Sequence, residues 1–223
     1  MSKLTSYKEL LQDILKRGYV DLVARGDRLR TPTQVLISIL EAHDYLPREV
    51  IAADLFGRAA LWTTKDYANI CSYLEVYEID PVQAGYARRV LPSAVVIVGD
   101  SIKAVQNRKL RKNKYNFIAS DNPLASPYGG NYYEHFDIFP KVGDYIDEGI
   151  LKLSFCQDIE KSKNPLSREH LGKREEFYGK ANPSLDEAVA SYQKRLPRSQ
   201  IFDYVFVPSN PLWGSLALVL RPW

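Results

Sequence analysis

Cysteine is scarce in this chain: only Cys71 and Cys156 occur, far apart and each within an apolar run. That pattern excludes a disulfide framework or a thiolate zinc site. It fits two reduced core thiols and a reducing compartment, read here as the cytoplasm. Histidine is equally sparse, and His43 and His170 stand isolated without ligand spacing, so no metal centre is expected. A large excess of one sign of charge is missing too: the formal net charge is +3 and the pI about 8.7, too mild to name a nucleic-acid partner from bulk charge. No apolar run is long enough to span a bilayer. The amino terminus interrupts its apolar set with Lys8, Glu9, Gln12, Asp13 and Lys16, unlike a signal-peptide core, so no membrane association is expected. Repeats and low-complexity tracts are absent. So is the Gly-x-Gly-x-x-Gly turn that a nucleotide-dependent oxidoreductase needs for its pyrophosphate.

What is present is ordinary globular stock, 223 residues with 45% hydrophobic content, near the size at which one core suffices. Residues 1–46 read as an N-terminal helical extension. Leu10, Leu11, Ile14, Leu15 and Leu22 recur at helical spacing, and Thr31-Pro32-Thr33 starts a further helix with Val35, Leu36, Ile39 and Leu40 on one face, ending before Pro47. From residue 47 to 223 the pattern becomes short apolar runs at 50–54, 73–79, 94–98, 115–119, 150–155, 202–207 and 216–220. The intervals 63–72, 82–90, 101–109 and 139–148 are long enough for crossover helices, which makes most of the sheet parallel. Only a short turn through Pro208 and Gly214 separates the last two runs, so they form an antiparallel hairpin. The expected fold is α/β, doubly wound, with a seven-stranded and mostly parallel sheet, a C-terminal antiparallel β-hairpin and the helical extension. Residues 158–183 form a polar, Lys- and Arg-rich stretch read as an insertion or lid, followed by a helix at 185–195.

Open parallel sheets bind ligands beyond the carboxyl ends of their strands, where the strand order reverses. Three such positions are acidic: Asp54 after the first strand, Glu78 closing the second, and Asp100 after the third, followed by Ser101. Carboxylates there suit an amine, a ribose diol and a purine amino group, which a nucleoside-bearing ligand offers together. Each acid also suits the N-cap of the next helix, a purely structural role. After the fourth strand comes Ser120-Asp121-Asn122-Pro123, with Tyr128 the next aromatic. Those residue types also favour a plain turn.

The runs DLFGRAALW, VYEIDP and VVIVGDS, in that order, resemble the cofactor loop, ribose strand end and adenine contact of class I, Rossmann-like AdoMet-dependent methyltransferases. The resemblance covers roughly residues 47–223, hairpin included. It implies S-adenosyl-L-methionine as cofactor, with Asp54 and Gly57 flanking its methionine part, Glu78 taking the ribose hydroxyls, and Asp100 with Ser101 meeting the adenine. The loop departs from the family in having Arg58, Ala59 and Ala60 after Gly57, where further glycines are usual. Asp121-Asn122-Pro123 resembles the Asp/Asn-Pro-Pro-aromatic motif of amino-methyltransferases. Leu124 replaces the second proline, and Tyr128 is the candidate stacking ring.

A looser likeness is to ribosomal-RNA guanine amino-methyltransferases, through Arg28, Arg30 and Thr31 ahead of the first helix. These likenesses imply methyl transfer to an amino group, with RNA as the first acceptor and a small molecule as the second. The runner-up is a non-catalytic protein of the same fold that binds RNA or a protein partner. The basic run 107–114 and the cluster Arg168, Lys173 and Arg174 are candidate phosphate contacts, although a solvated turn on the far side of the sheet accounts better for the run. The aromatic residues Tyr132, Tyr133, His135, Phe136 and Phe139 read as a substrate wall or as loop packing. Oligomeric state is not legible.

Overall fold

A computed structural model describes residues 31–57, 60, 63–120, 134, 136–156, 165–208 and 213–223. Seven strands are present among them: β1 (Val50–Asp54), β2 (Cys71–Glu78), β3 (Val95–Val98), β4 (Phe117–Ser120), β5 (Gly149–Cys156), β6 (Ser199–Pro208) and β7 (Trp213–Pro222). They form one sheet in the order β3-β2-β1-β4-β5-β7-β6. The pairs from β3 to β5 are parallel, while β7 runs antiparallel to both β5 and β6. The mostly parallel sheet with its C-terminal hairpin is therefore the one expected. The order reverses between β1 and β4: the chain steps outward from β1 through β2 to β3, then returns to place β4 on the other side of β1.

Six α-helices among the described residues cover the two faces: α1 (Pro32–Ala42), α2 (Thr64–Tyr67), α3 (Pro81–Val90), α4 (Ser101–Gln106), α5 (Pro165–Tyr178) and α6 (Leu185–Gln193). One face packs Leu36 and Leu40 of α1, Tyr67 of α2 and Ala87 of α3 against Ala52, Phe117, Ile150 and Ala217. The other packs Val105, Phe177, Ala188 and Tyr192 against Ile118, Leu151, Phe155 and Leu218. Alternate residues of β4, β5 and β7 thus feed different layers, which is why these strands read as continuous apolar runs.

Local chemistry sets the helix starts. Thr31 caps α1, accepting the Gln34 N–H at 3.1 Å while Gln34 Oε1 accepts the Thr31 N–H at 3.1 Å, and Pro32 fills the first helical position. Asp80 caps α3 by accepting the Val82 and Gln83 N–H groups, with Pro81 at the first helical position, and Ser184 caps α6 in a reciprocal box with Glu187. Helix α1 shares its core with the sheet and packs over β6 and β7.

One expectation is corrected. Residues 139–148 form no α-helix; two 3₁₀ turns, Phe136–Ile138 and Lys141–Asp144, make the passage to β5. Pro140 lacks the amide hydrogen and Gly143 weakens helix propensity, so the apolar residues there bury as turns. Within the stretch read as a polar insertion, residues 165–178 are helical, and the last turn buries Arg174, Phe177 and Tyr178.

The basic run 107–114 lies at the amino end of β4, opposite the ligand edge. Its backbone amides at Leu110, Arg111 and Lys112 donate to the phenols of Tyr145, Tyr77 and Tyr115, at 3.2, 3.0 and 2.9 Å. Tyr73, Tyr77 and Tyr115 in turn donate to the fully buried Glu75. Arg108 and Lys114 pair with Asp144 and Asp147. This run is a solvated turn on the far side of the sheet.

Candidate functional site at the carboxyl edge

The reversal of strand order places the carboxyl ends of β1 and β4 side by side, with Leu55 N–H donating to Ala119 O at 2.9 Å. Asp54 ends β1 as a buried carboxylate that accepts Phe56 N–H at 2.9 Å, Thr64 Oγ1 at 2.6 Å and the Tyr67 phenol at 2.5 Å. Burial raises its pKa above the ordinary carboxylate value, against the pull of these three donors and of the Lys152 charge. Asp54 also helps burial push the Cys71 thiol up to about 12. Lys152, fully buried on β5, lies in register between Ala119 and Ala217, whose small side chains leave its stem room.

Helix α2 is a single turn in which three of the four residues hold a remote partner. Thr64 and Tyr67 bind Asp54. Asp66 accepts Thr31 Oγ1 at 2.5 Å and Gln34 Nε2 at 3.0 Å, joining the start of α1 to the loop after β1. Sequence reading placed a crossover helix over 63–72, which contains this turn, but missed the polar contacts it makes. Thr31 is used here as a scaffold, while Arg28 and Arg30 lie outside the described residues.

Gly57 sits against β2, its N–H donating to Tyr77 O at 3.0 Å, and a Cβ there would lie 1.9 Å from Val76 Cγ1. Only glycine permits so close an approach. Ala60 donates to Gly57 O at 2.8 Å and adopts φ 57°, the left-handed region that glycine would occupy without strain.

At the end of β2, Glu78 is nearly buried. Its Oε1 accepts Asp80 N–H at 2.8 Å, which orients the carboxylate, and Oε2 has no hydrogen bond among the described residues. Ile79, which follows it, is 49% exposed, an apolar side chain of that size uncovered next to an acid. Sequence reading passed over Ile79, although an apolar residue directly after a strand-end acid was the available signal.

Asp100 caps α4, accepting Lys103 N–H at 3.0 Å and pairing with Lys103 Nζ at 3.3 Å; Ser101 beside it is buried. The edge therefore brings together Asp54, Gly57, Glu78, Asp100 and Ser101. Asp121, Asn122, Pro123 and Tyr128 lie outside the described residues, as do Tyr132, Tyr133 and His135. Their strand is described up to Ser120, which is buried with its hydroxyl unpartnered.

Beyond β5, Arg174 is fully buried and salt-bridged to Glu134. It also donates to Cys156 O at 2.9 Å and Ala181 O at 2.5 Å. The phenol of Tyr178 donates to Glu134 at 3.0 Å and lies 2.6 Å from that of Tyr192. Burial raises the Glu134 pKa, opposed by the guanidinium. Lys173 pairs with Asp137 at 3.1 Å. Arg174 is thus a core residue rather than a phosphate contact. Phe136 stacks on Phe177 at 4.4 Å and Phe139 meets Phe177 and Tyr192, so these two rings pack the core rather than line a substrate wall.

Among the described residues no group of three or more His, Cys, Asp or Glu is placed to hold a metal ion, and no helix is long and apolar enough to cross a membrane. Both cysteines are free thiols.

No protein-family profile and no curated protein sequence matches the chain. Its fold is nevertheless shared with solved structures. A TehB-like SAM-dependent methyltransferase from Corynebacterium glutamicum aligns over 95% of this chain and 97% of its own, with a TM-score of 0.51 and 13% identity. TrmN from Thermus thermophilus aligns over 93% of this chain and 53% of its own, with a TM-score of 0.50 and 15% identity. The fold is that of the Rossmann-like AdoMet-dependent methyltransferases.

Proposed function

We propose that the protein is an AdoMet-dependent methyltransferase that methylates an amino group, with RNA the first acceptor and a small molecule the second. The observation that carries this reading is the edge at the strand-order reversal. There a glycine loop closes on β2 with no room for a Cβ, beside a fixed carboxylate at Glu78 and an uncovered Ile79. These residues fit the cofactor: the loop offers backbone, Glu78 an acceptor for a diol, and Ile79 an apolar face for a purine. Ser120 adds a buried hydroxyl awaiting a partner.

AdoMet supplies an electrophilic methyl group, and the chain's own residues bind and orient. Glu78 would hold the ribose hydroxyls through Oε2, and Asp100 with Ser101 would border the adenine. Asp54 acts chiefly through the loop, because its oxygens already receive three donors. Asp121 and Asn122, following β4, would accept hydrogen bonds from the target amine and keep its lone pair aimed at the methyl group, which is catalysis by orientation. Pro123 would stiffen that turn, and Tyr128 would stack on the acceptor base. The motif around Asn122 supports the amino acceptor, and the loose likeness of the Arg28, Arg30 and Thr31 segment to ribosomal-RNA guanine amino-methyltransferases supports RNA.

Calorimetric titration with S-adenosylhomocysteine tests the cofactor, with Glu78→Ala expected to weaken binding about tenfold or more. Methyl-labelled AdoMet with cellular RNA, before and after nuclease treatment, tests the acceptor. Label lost with nuclease supports RNA, and label confined to the small-molecule fraction moves the acceptor to the second choice. Cofactor binding without labelled product supports the non-catalytic RNA- or protein-binding alternative.

A further inference from the structure

Ser120 Oγ is the one buried side-chain polar atom without a hydrogen-bond partner among the described residues. A buried hydroxyl in that state is costly, and folded proteins rarely keep one without use. Its position is specific. Ser120 ends β4, next in the chain to Ala119, whose carbonyl is already bound to Leu55 N–H across the β1–β4 boundary, and in register with Leu153 of β5. Ile118 faces the layer of α4, α5 and α6, so alternation along the strand points Ser120 to that same face at the strand's open end. Lys152 belongs to the register of Ile150 and faces the opposite layer. The orphan oxygen therefore stands at the carboxyl edge, where the strand order reverses, with the backbone groups beside it committed to the sheet.

The charges around this edge are mostly acidic among the described residues: Asp54, Glu78, Asp80 and Asp100 end their strands or cap the next helices there. A negative surround favours a cation over a carboxylate as the ligand group that reaches a hydroxyl oxygen. We propose that Ser120 Oγ accepts a hydrogen bond from the ammonium group of the amino-acid part of AdoMet, so that the cofactor satisfies a hydrogen bond the unliganded fold leaves unmade. This rests on the methyltransferase reading. It assigns Ser120 a binding role that makes the unliganded protein less stable than it would be without the hydroxyl.

Ser120→Ala tests both halves at once. Without ligand, the variant melts higher than wild type by about 2–4 °C, because an unmet polar group has been removed. Two probes then separate the contact from the rest of the site: S-adenosylhomocysteine, and 5′-methylthioadenosine, which keeps the nucleoside and thioether but lacks the amino acid. Calorimetry is expected to show S-adenosylhomocysteine binding weakened about tenfold or more in Ser120→Ala, with methylthioadenosine affinity unchanged. Equal S-adenosylhomocysteine affinity in the two proteins overturns the proposal while leaving the methyltransferase reading intact. Equal loss for both ligands overturns it too, since the defect then lies outside the ammonium contact. A lowered melting temperature in the unliganded variant shows a hydroxyl already satisfied by the fold and also overturns it. Wild type that binds neither probe fails the methyltransferase reading itself.

Discussion

Arg174→Met offers the most direct test of how the region beyond β5 is held. The guanidinium is completely buried and its charge faces Glu134, itself 2% exposed. It donates to two backbone carbonyls, Cys156 O at 2.9 Å and Ala181 O at 2.5 Å, and its carbon lies 5.2 Å from the Tyr178 ring centre. Methionine refills much of the volume but takes the guanidinium charge from Glu134, whose remaining contacts include the Tyr178 phenol at 3.0 Å and the Cys156 N–H at 3.5 Å. Removing one member of a buried pair costs about 3–5 kcal/mol, because the remaining charge stays desolvated. For a chain of this size that lowers the melting temperature by about 6–20 °C. Urea unfolding followed by circular dichroism measures it. Burial already raises the Glu134 pKa and Arg174 opposes the rise, so the variant's pKa climbs further. A carboxylate whose folded pKa is raised favours the folded state while protonated and loses that contribution as pH rises, so the variant's deficit shrinks on acidification. The double variant Arg174→Met/Glu134→Gln should recover most of the loss, since no charge is then stranded. A single-variant cost below about 1 kcal/mol, or a double variant no better than the single, refutes this account of the pair.

Gly57→Ala forces a Cβ to within 1.9 Å of Val76 Cγ1 and should cost about 1–3 kcal/mol in urea unfolding while also weakening S-adenosylhomocysteine binding; a neutral result would show that the loop does not press on β2. Ala60→Gly relieves a left-handed alanine worth about 1–2 kcal/mol, offset by the greater freedom of unfolded glycine, so a net gain within about 1 kcal/mol is expected. The Lys180 hydrogen bond, with those from Ser184, holds the exposed Glu187 carboxyl down at about 2 against an ordinary 4.5. A depressed carboxyl stabilises the fold above its unfolded pKa and loses that contribution as pH falls through the folded one. The stability difference between wild type and Glu187→Gln should therefore be present at neutral pH and vanish between about 4.5 and 2 in thermal melts.

Much of the sheet was legible because its strands announce themselves locally. All seven apolar runs became strands, with ends moved by a few residues inward or outward. The start of α1 at Thr31-Pro32 was equally legible, since a capping box is local chemistry. Residues 139–148 misled because burial, and not helix propensity, makes them apolar. Helix α5 was obscured by its polar composition: what holds Arg174 is Glu134, 40 positions away, and no local pattern encodes that pair. At the site, the acids at 54, 78 and 100 were found as a set. Which of them still offer an oxygen was not, because the donors to Asp54 come from a one-turn helix whose role shows only in three dimensions.

By itself, then, the sequence determined the order of strands and helices and the placement of an acid at the end of each of the first three strands, because periodicity, caps and turn residues act over a few positions of chain. Tertiary structure decided which charged groups are consumed and which remain available. Thr64 and Tyr67 occupy Asp54, Lys103 engages Asp100, and Glu134 takes Arg174 out of any surface role, whereas Glu78 and Ser120 keep unused oxygens at the edge. Availability is a property of burial and of partners contributed by remote segments, and these exist only once the sheet has brought β1 and β4 together.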